Sequence, residues 1–254
     1  TEAAEALESP VMLQVLPSAL DIGGSTLVAA CLEAARKAVV PASVHLDHCS
    51  DPAMIQNALD AGVSSVMADG SMHDFETNLL FTKKISDMAQ KIGAGVEAEL
   101  GRIAGTEDKM TLDVRDACLT KVSEAQSFVR QVDIAALAVC IGNVHGKYTR
   151  PPALDFERLE QIRKKVSVPL VLHGTSGLPD EMIRQAVSLG VCKFNVNTEI
   201  RTAYLSALFD CFKAGENSSK SLPELVDIMT RGIAAMKTQV CEKLHLFGSA
   251  GKAG

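Results

Sequence analysis

The chain has 254 residues, a formal net charge of −6, a pI near 5.5 and 47% apolar residues, with two Tyr and no Trp. This balance argues against a nucleic-acid partner or an anionic membrane surface, yet leaves small anions open, because local dipoles rather than net charge bind them. The length suits one α/β barrel, and no apolar run reaches the ~20 residues of a bilayer crossing.

Thr1 to Glu8 reads as the end of a helix stopped at Ser9-Pro10, and Val11 to Val15 as a short strand. A helix over Ser25–Ala38 leads to strand Ser43–Asp47 and helix Asp51–Ala61, with Ser50 or Asp51 as its cap. Strand Ser64–Asp69, helix Asp74–Ile92 and strand Gly95–Leu100 follow, then a polar segment, Gly101–Leu119. Next come helix Val122–Gln131, strand Ala136–Ile141, helix Phe156–Lys165 and strand Leu170–His173. Helix Pro179–Ser188, strand Lys193–Val196 and helices Glu199–Phe212 and Leu222–Lys243 complete the chain. The alternation predicts parallel strands with right-handed crossovers, in a single domain spanning 1–254. Seven strands are counted where a closed TIM (β/α)8 barrel has eight, and the chain opens inside a helix. An N-terminally truncated barrel lacking its first strand is therefore expected, with an open doubly wound sheet as the alternative. Seven scattered cysteines without a CxxC pair, and no signal-peptide pattern, suggest a reduced, cytoplasmic setting.

Polar residues at strand ends carry the chemistry. Ser43-Val44-His45-Leu46-Asp47-His48-Cys49 finishes an apolar strand on ionisable groups that strand packing does not call for. Regular alternation puts His45 and Asp47 on one side and Leu46 and His48 on the other. His145 and His173 end two later strands. Three imidazoles at equivalent ends make His48, His145 and His173 candidate ligands of a metal, whereas any one alone reads as a structural histidine. Asp47 is a candidate partner of those ligands or a proton carrier, and His45 a deeper, supporting histidine. Asp69, Glu97 and Glu99 are acids in or ending buried strands, to be neutralised by a metal or by an internal lysine such as Lys193. His73 and His245 read as bystanders. Gly174-Thr175-Ser176-Gly177 and Asn195-Val196-Asn197-Thr198 each link a strand to a helix, in the two last strand-to-helix loops where barrels hold phosphate. A metal beside a phosphate cradle suggests metal-assisted chemistry on a phosphorylated small molecule, and a barrel metallohydrolase is the competing enzyme class.

Several stretches now resemble one family: His45-Leu46-Asp47-His48, Asp69-Gly70-Ser71, Glu97-Ala98-Glu99-Leu100-Gly101-Arg102, Gly105-Thr106-Glu107-Asp108, Ile141-Gly142-Asn143-Val144-His145-Gly146, Leu172-His173-Gly174-Thr175-Ser176 and Asn195-Val196-Asn197-Thr198-Glu199. The chain is similar to class II, zinc-dependent ketose-bisphosphate aldolases, and to their tagatose-type branch more than to their fructose-type one. The resemblance implies reversible aldol cleavage of fructose- or tagatose-1,6-bisphosphate to dihydroxyacetone phosphate and glyceraldehyde 3-phosphate. It assigns Zn2+ to His48, His145 and His173, with Asp69 and Glu99 at second or displaced metal positions. Asp47 matches the acid at the aldehyde oxygen, and Glu107 the base acting on dihydroxyacetone phosphate. Gly146, Gly174, Thr175, Ser176, Asn195, Val196, Asn197 and Thr198 match the groups that hold the ketose phosphate, with a monovalent cation (Na+ or K+) nearby. A homodimer or homotetramer is implied, and a non-catalytic fragment binding metal and sugar phosphate is the alternative. Two departures stand out: Met72 follows Asp69-Gly70-Ser71 where the family usually has His, and Gly105-Thr106 replaces Gly-Gly ahead of Glu107.

Overall fold

A computed structural model describes residues 1–105, 119–146, 148, 151–216 and 224–254. The first half contains α1 (Glu2–Ala6), β1 (Val11–Val15), α2 (Pro17–Lys37), β2 (Ala42–Cys49), α3 (Pro52–Asp60), β3 (Ser65–Ala68), α4 (Phe75–Gln90), β4 (Gly95–Leu100) and β5 (Ala104–Gly105). The second contains α5 (Val122–Gln131), β6 (Ala136–Val139), β7 (Val144–His145), α6 (Phe156–Lys165), β8 (Leu170–Leu172), α7 (Asp180–Ser188), β9 (Val191–Phe194), α8 (Thr198–Glu216) and α9 (Leu225–Leu246).

Seven strands form one parallel sheet in the order β1-β2-β3-β4-β6-β8-β9. The sheet is curled, because Asn195, just past β9, hydrogen-bonds Asp47 of β2 from near the other end of that order. An open doubly wound sheet keeps such strands far apart, so the architecture is an eight-stranded barrel type short of one strand.

Alternation along the strands explains the two layers of the interior. Val44 and Leu46, Val96 and Ala98, Leu137 and Val139, and Leu170 and Leu172 face outward. They pack with Ile55 and Leu59 of α3, Ile85 of α4, Phe128 of α5 and Leu159 and Ile162 of α6 in one apolar cluster. The intervening His45, Glu97 and Glu99 are buried on the other face, inside the curl. Asp51, Asp74 and Asp155 cap α3, α4 and α6 by accepting from the backbone N–H groups of Ala53, Thr77 and Arg158. A second small cluster of Ala4, Val40 and Leu244 seats α1 against α9. Among the described residues no helix is long and apolar enough to cross a membrane, and Cys31, Cys49, Cys192, Cys211 and Cys241 are free thiols.

Several boundaries differ from the sequence expectation, and three differences bear on the architecture. Helix α2 starts at Pro17 rather than Ser25, with Gly24 (φ +54°) breaking it into two pieces. The proline supplies a favourable first-turn φ, so Pro17–Gly23 is helical where the Leu27-Cys31-Leu32 spacing had marked only the second piece. Strand β9 runs over Val191–Phe194, two residues earlier than Lys193–Val196, because Gly190 (φ +98°) turns the chain directly into it. Asn195 and Val196 are thereby released into the loop before α8. Finally, a short parallel ladder pairs β5, at the start of the polar segment Gly101–Leu119, with β7, Gly105 beside His145.

Candidate active site

The site is built from strand C-terminal ends. Regular alternation would have sent His48 into the helix layer with Leu46. Instead His48 adopts φ +48°, and the β2–β3 register shifts between Leu46 and Cys49. This is a β-bulge, and it corrects the expectation that Asp47 and His48 point apart: both side chains reach the same site. A left-handed residue without glycine costs on the order of 1 kcal/mol or more and persists where its surroundings over-determine it.

His48, His145 and His173 converge there, with ligand-capable nitrogens all within 4.8 Å of one another. Ring centroids lie 4.9 Å apart for His48 and His145, and 4.7 Å for His48 and His173. The hydrogen bonds decide which nitrogens are available. His48 Nδ1 is 2.8 Å from Asp69 Oδ2, while Asp69 Oδ1 accepts from the Ser71 hydroxyl at 2.6 Å and its N–H at 3.2 Å. His173 Nε2 is 2.9 Å from Glu97 Oε1. His145 Nδ1, His173 Nδ1 and Glu99 Oε2 are buried without hydrogen-bond partners, and Glu99 Oε2 lies 3.3 Å from His173 Nδ1. Three imidazoles with gathered nitrogens, two of them orphaned, beside an orphaned carboxylate oxygen offer the donors that a divalent cation takes, so the residues present fit a metal. Asp69 differs from Glu99 in that both its oxygens are engaged. It is the group that orients His48, as carboxylates commonly do behind metal-binding imidazoles.

Electrostatics reinforce this. Asp47, Asp69, Glu97 and Glu99 meet in one region with Lys193. Lys193 Nζ lies 2.9 Å from Glu97 Oε2, so the internal lysine neutralises Glu97, while Glu99 has no such partner. Burial works to raise Glu97, but Lys193 and His173 overcome it and hold the carboxyl at about 2. Burial likewise opposes ionisation of Asp69, and the His48 and Ser71 hydrogen bonds still bring it to about 2. Asp47 is buried too, yet His45, His48, His173 and Lys193 keep it ionised well below the usual carboxylate range. Glu99 goes the other way, pushed up by burial and by the Asp69 charge. His145 is lowered to about 3 by burial and the neighbouring imidazoles, which leaves it neutral and able to ligate.

Beside the imidazoles opens a cleft lined by every residue expected to hold the ketose phosphate: Gly146, Gly174, Thr175, Ser176, Asn195, Val196, Asn197 and Thr198. Asp47 and His145 line it as well, so the candidate acid, a candidate ligand and the cradle share one space. The cradle stands on close backbone approaches. Gly174 has φ +62°, and a Cβ there would strike the Val144 carbonyl oxygen. Tyr148 ties the same segments, its hydroxyl donating to the Gly174 carbonyl at 2.8 Å and accepting from the Val144 N–H at 3.2 Å. Burial pushes that hydroxyl up to about 12, so it stays a donor.

Sequence reasoning missed Gln14, Leu16 and Ala19, which also line the cleft, and Gln14 Nε2 is buried without a partner. The signal was available: Gln14 is a lone amide in the apolar run Val11–Val15, near its C-terminal end. Asn195, expected among the substrate-holding groups, lines the cleft and also donates from its amide nitrogen to both Asp47 oxygens at 2.9 Å. His45 is the supporting histidine expected, with Nδ1 2.8 Å from Ser65 Oγ and Nε2 3.6 Å from Asp47 Oδ1. Glu107 lies outside the described residues.

Comparison with known proteins gives a consistent result. The family model described as "Fructose-bisphosphate aldolase class-II" matches residues 1–252. The D-tagatose-1,6-bisphosphate aldolase subunit GatY of Klebsiella oxytoca is 41% identical over 252 residues, 99% of this chain and 87% of that protein. The sulfofructosephosphate aldolase of Alkalicoccus urumqiensis is 40% identical over 253 residues, with the same shares of each chain. Among solved structures, the YdjI aldolase from Escherichia coli K12 superposes with a TM-score of 0.84 at 33% identity, covering 100% of this chain and 87% of that one.

Proposed function

This chain belongs to the class II fructose-bisphosphate aldolase family, and from that premise we propose that it is a zinc-dependent aldolase acting on a ketose 1,6-bisphosphate of the tagatose or fructose series. The observation that carries the reading is the convergence of three imidazoles and the orphaned Glu99 oxygen beside a cleft walled by Gly174–Ser176 and Asn195–Thr198.

His48, His145 and His173 would hold the ion, with Glu99 as a further donor, and Asp69 would fix the His48 ring. A bound divalent ion supplies Lewis-acid polarisation of the ketose carbonyl, which acidifies the neighbouring C–H. The protein's own groups do the rest. The two loops and the N-terminus of α8 hold the phosphate of the ketose end, with a Na+ or K+ ion accompanying it. Ionised Asp47 accepts the proton of the substrate hydroxyl in the cleavage direction and returns it to the aldehyde oxygen in condensation. Glu107 exchanges the proton at the carbon that dihydroxyacetone phosphate contributes. That assignment is supported by the likeness of Gly105-Thr106-Glu107-Asp108 to the family's stretch. The products are dihydroxyacetone phosphate and glyceraldehyde 3-phosphate, and no Schiff-base lysine is needed.

Residues 1–254 then work as a single barrel unit, as a homodimer or homotetramer in the cytoplasm, without nucleic-acid or membrane partners. Identity does not choose the sugar, since relatives named for tagatose bisphosphate and for sulfofructose phosphate stand at 41% and 40%. The test is a coupled triose-phosphate assay on both bisphosphates. Cleavage abolished by chelation and restored by Zn2+ is expected. Binding of zinc and sugar phosphate without turnover would overturn the reading in favour of a non-catalytic protein.

A further inference from the structure

Behind the cleft, Lys193 joins two halves of the site that the strands deliver separately. Its Nζ lies 2.9 Å from Glu97 Oε2 and donates to Asn195 Oδ1 at 2.6 Å. Glu97 Oε1 meets His173 Nε2 at 2.9 Å, and the Asn195 amide nitrogen donates to both Asp47 oxygens at 2.9 Å. The contacts run without a break from His173 through Glu97, Lys193 and Asn195 to Asp47.

The direction of each bond follows from what the groups can do. An ammonium only donates and a carboxylate only accepts, so an amide between them has one satisfying orientation, oxygen to Lys193 and nitrogen to Asp47. Without the ammonium, the amide loses the partner that selects this orientation, and its oxygen is free to turn against the Asp47 carboxylate. The lysine side chain is 16% exposed and that of Glu97 4%, so water competes weakly for these bonds.

We propose that Lys193 is a positioning residue for the aldol reaction: through Asn195 it aims the Asp47 carboxylate at the substrate oxygen. This rests on the reading of Asp47 as the group that carries the hydroxyl proton. It implies that Lys193 serves bond cleavage and condensation, the steps that move that proton. It does not serve exchange of the dihydroxyacetone phosphate C–H, for which Asp47 has no proton to move.

The experiment compares those two activities in zinc-loaded protein. Lys193→Met should lower kcat for cleavage by about 30- to 100-fold, the scale of a misplaced acid–base group. KM, zinc content and the rate of C–H exchange with solvent should each stay within about threefold, because none of them uses the Asp47 proton. Lys193→Arg, which keeps the charge and the donor, should restore part of kcat. Asn195→Ala should lower kcat for cleavage to a similar degree, and the double variant should lose no more of kcat than the worse single one. If Lys193→Met does not fold, Lys193→Gln takes its place. Equal loss of cleavage and exchange, or independent additive losses, would overturn the proposal. Asp47→Asn separates the two ideas. Loss of cleavage in Asp47→Asn without loss in Lys193→Met rejects the positioning role alone, whereas full cleavage by Asp47→Asn rejects the acid assignment beneath it.

Discussion

His145 and Asp69 show how differently two polar residues serve one site. His145 is held neutral at about 3 by burial and its neighbours, with Nδ1 buried and unpartnered. Truncating it removes a donor outright, and His145→Ala should abolish stoichiometric zinc binding in a titration while leaving the far-ultraviolet spectrum unchanged. Asp69 acts through His48, so Asp69→Asn should weaken zinc by about 10- to 100-fold and no more, the usual effect of losing a carboxylate behind a ligand. The carboxylates also govern acid stability. In zinc-free protein Asp69 and Glu97 titrate at about 2, below their ordinary values near 4. A depressed folded value means that the unfolded chain takes up protons first as pH falls. Their contribution is therefore fully present above pH ~4 and is lost as pH drops through about 2. Thermal melts of chelated protein should fall across that window, with a shallower fall for Asp69→Asn. Residue identity was legible at this scale, because ionisable groups at strand ends have no packing reason to be there. Which partner each would take was not legible. Glu97 and Glu99 look alike two positions apart in the chain, yet Lys193 reaches only the first.

At the scale of elements, the strand ends were legible from their apolar runs and the register details were not. Alternation assumes a regular pleat, and His48 breaks it with φ +48° to bring Asp47 and His48 to one side. The β9 boundary moved for a similar reason, since the Gly190 turn lies outside the apolar pattern used to place the strand. The glycine of His173-Gly174-Thr175 gives the sharpest test of element packing. Gly174 sits at φ +62° with the Val144 carbonyl where a side chain would be. Gly174→Ala should therefore separate β7 from the phosphate loop and cost about 1–3 kcal/mol of strain and stability. It should raise KM for the ketose bisphosphate more than it lowers zinc affinity, because the loop carries the cradle and His173 precedes it. Equal KM values for the variant and the parent would show that the loop does not hold the phosphate.

For the whole molecule, the order of βα units in the sequence predicts a curled parallel sheet, and the bond from Asn195 to Asp47 demonstrates the curl. What the α8–α9 pair does was not legible, because its apolar residues carry helical spacing whether they face a core or a neighbour. In the structure the two helices pack closely, with Gly232 against Tyr204 and Leu208. Several of their large apolar residues are left open: Leu205, Phe209 and Phe212 on α8, and Leu225, Val226, Met229 and Ile233 on α9, are all exposed. A group of large apolar side chains on adjoining helices is costly to leave in water, and from it self-association is predicted. Self-association through this face should give the native protein a mass at least twice the 27.0 kDa of one chain in light scattering at micromolar concentration. Phe209→Glu combined with Met229→Glu would place charges in the apolar patch and should shift the mass to a single chain. These positions lie outside the cleft, so the zinc-loaded variant should keep its metal even where turnover falls. A native protein that runs as a monomer, or a double variant of unchanged mass, would mean that this face is not where copies of the chain meet.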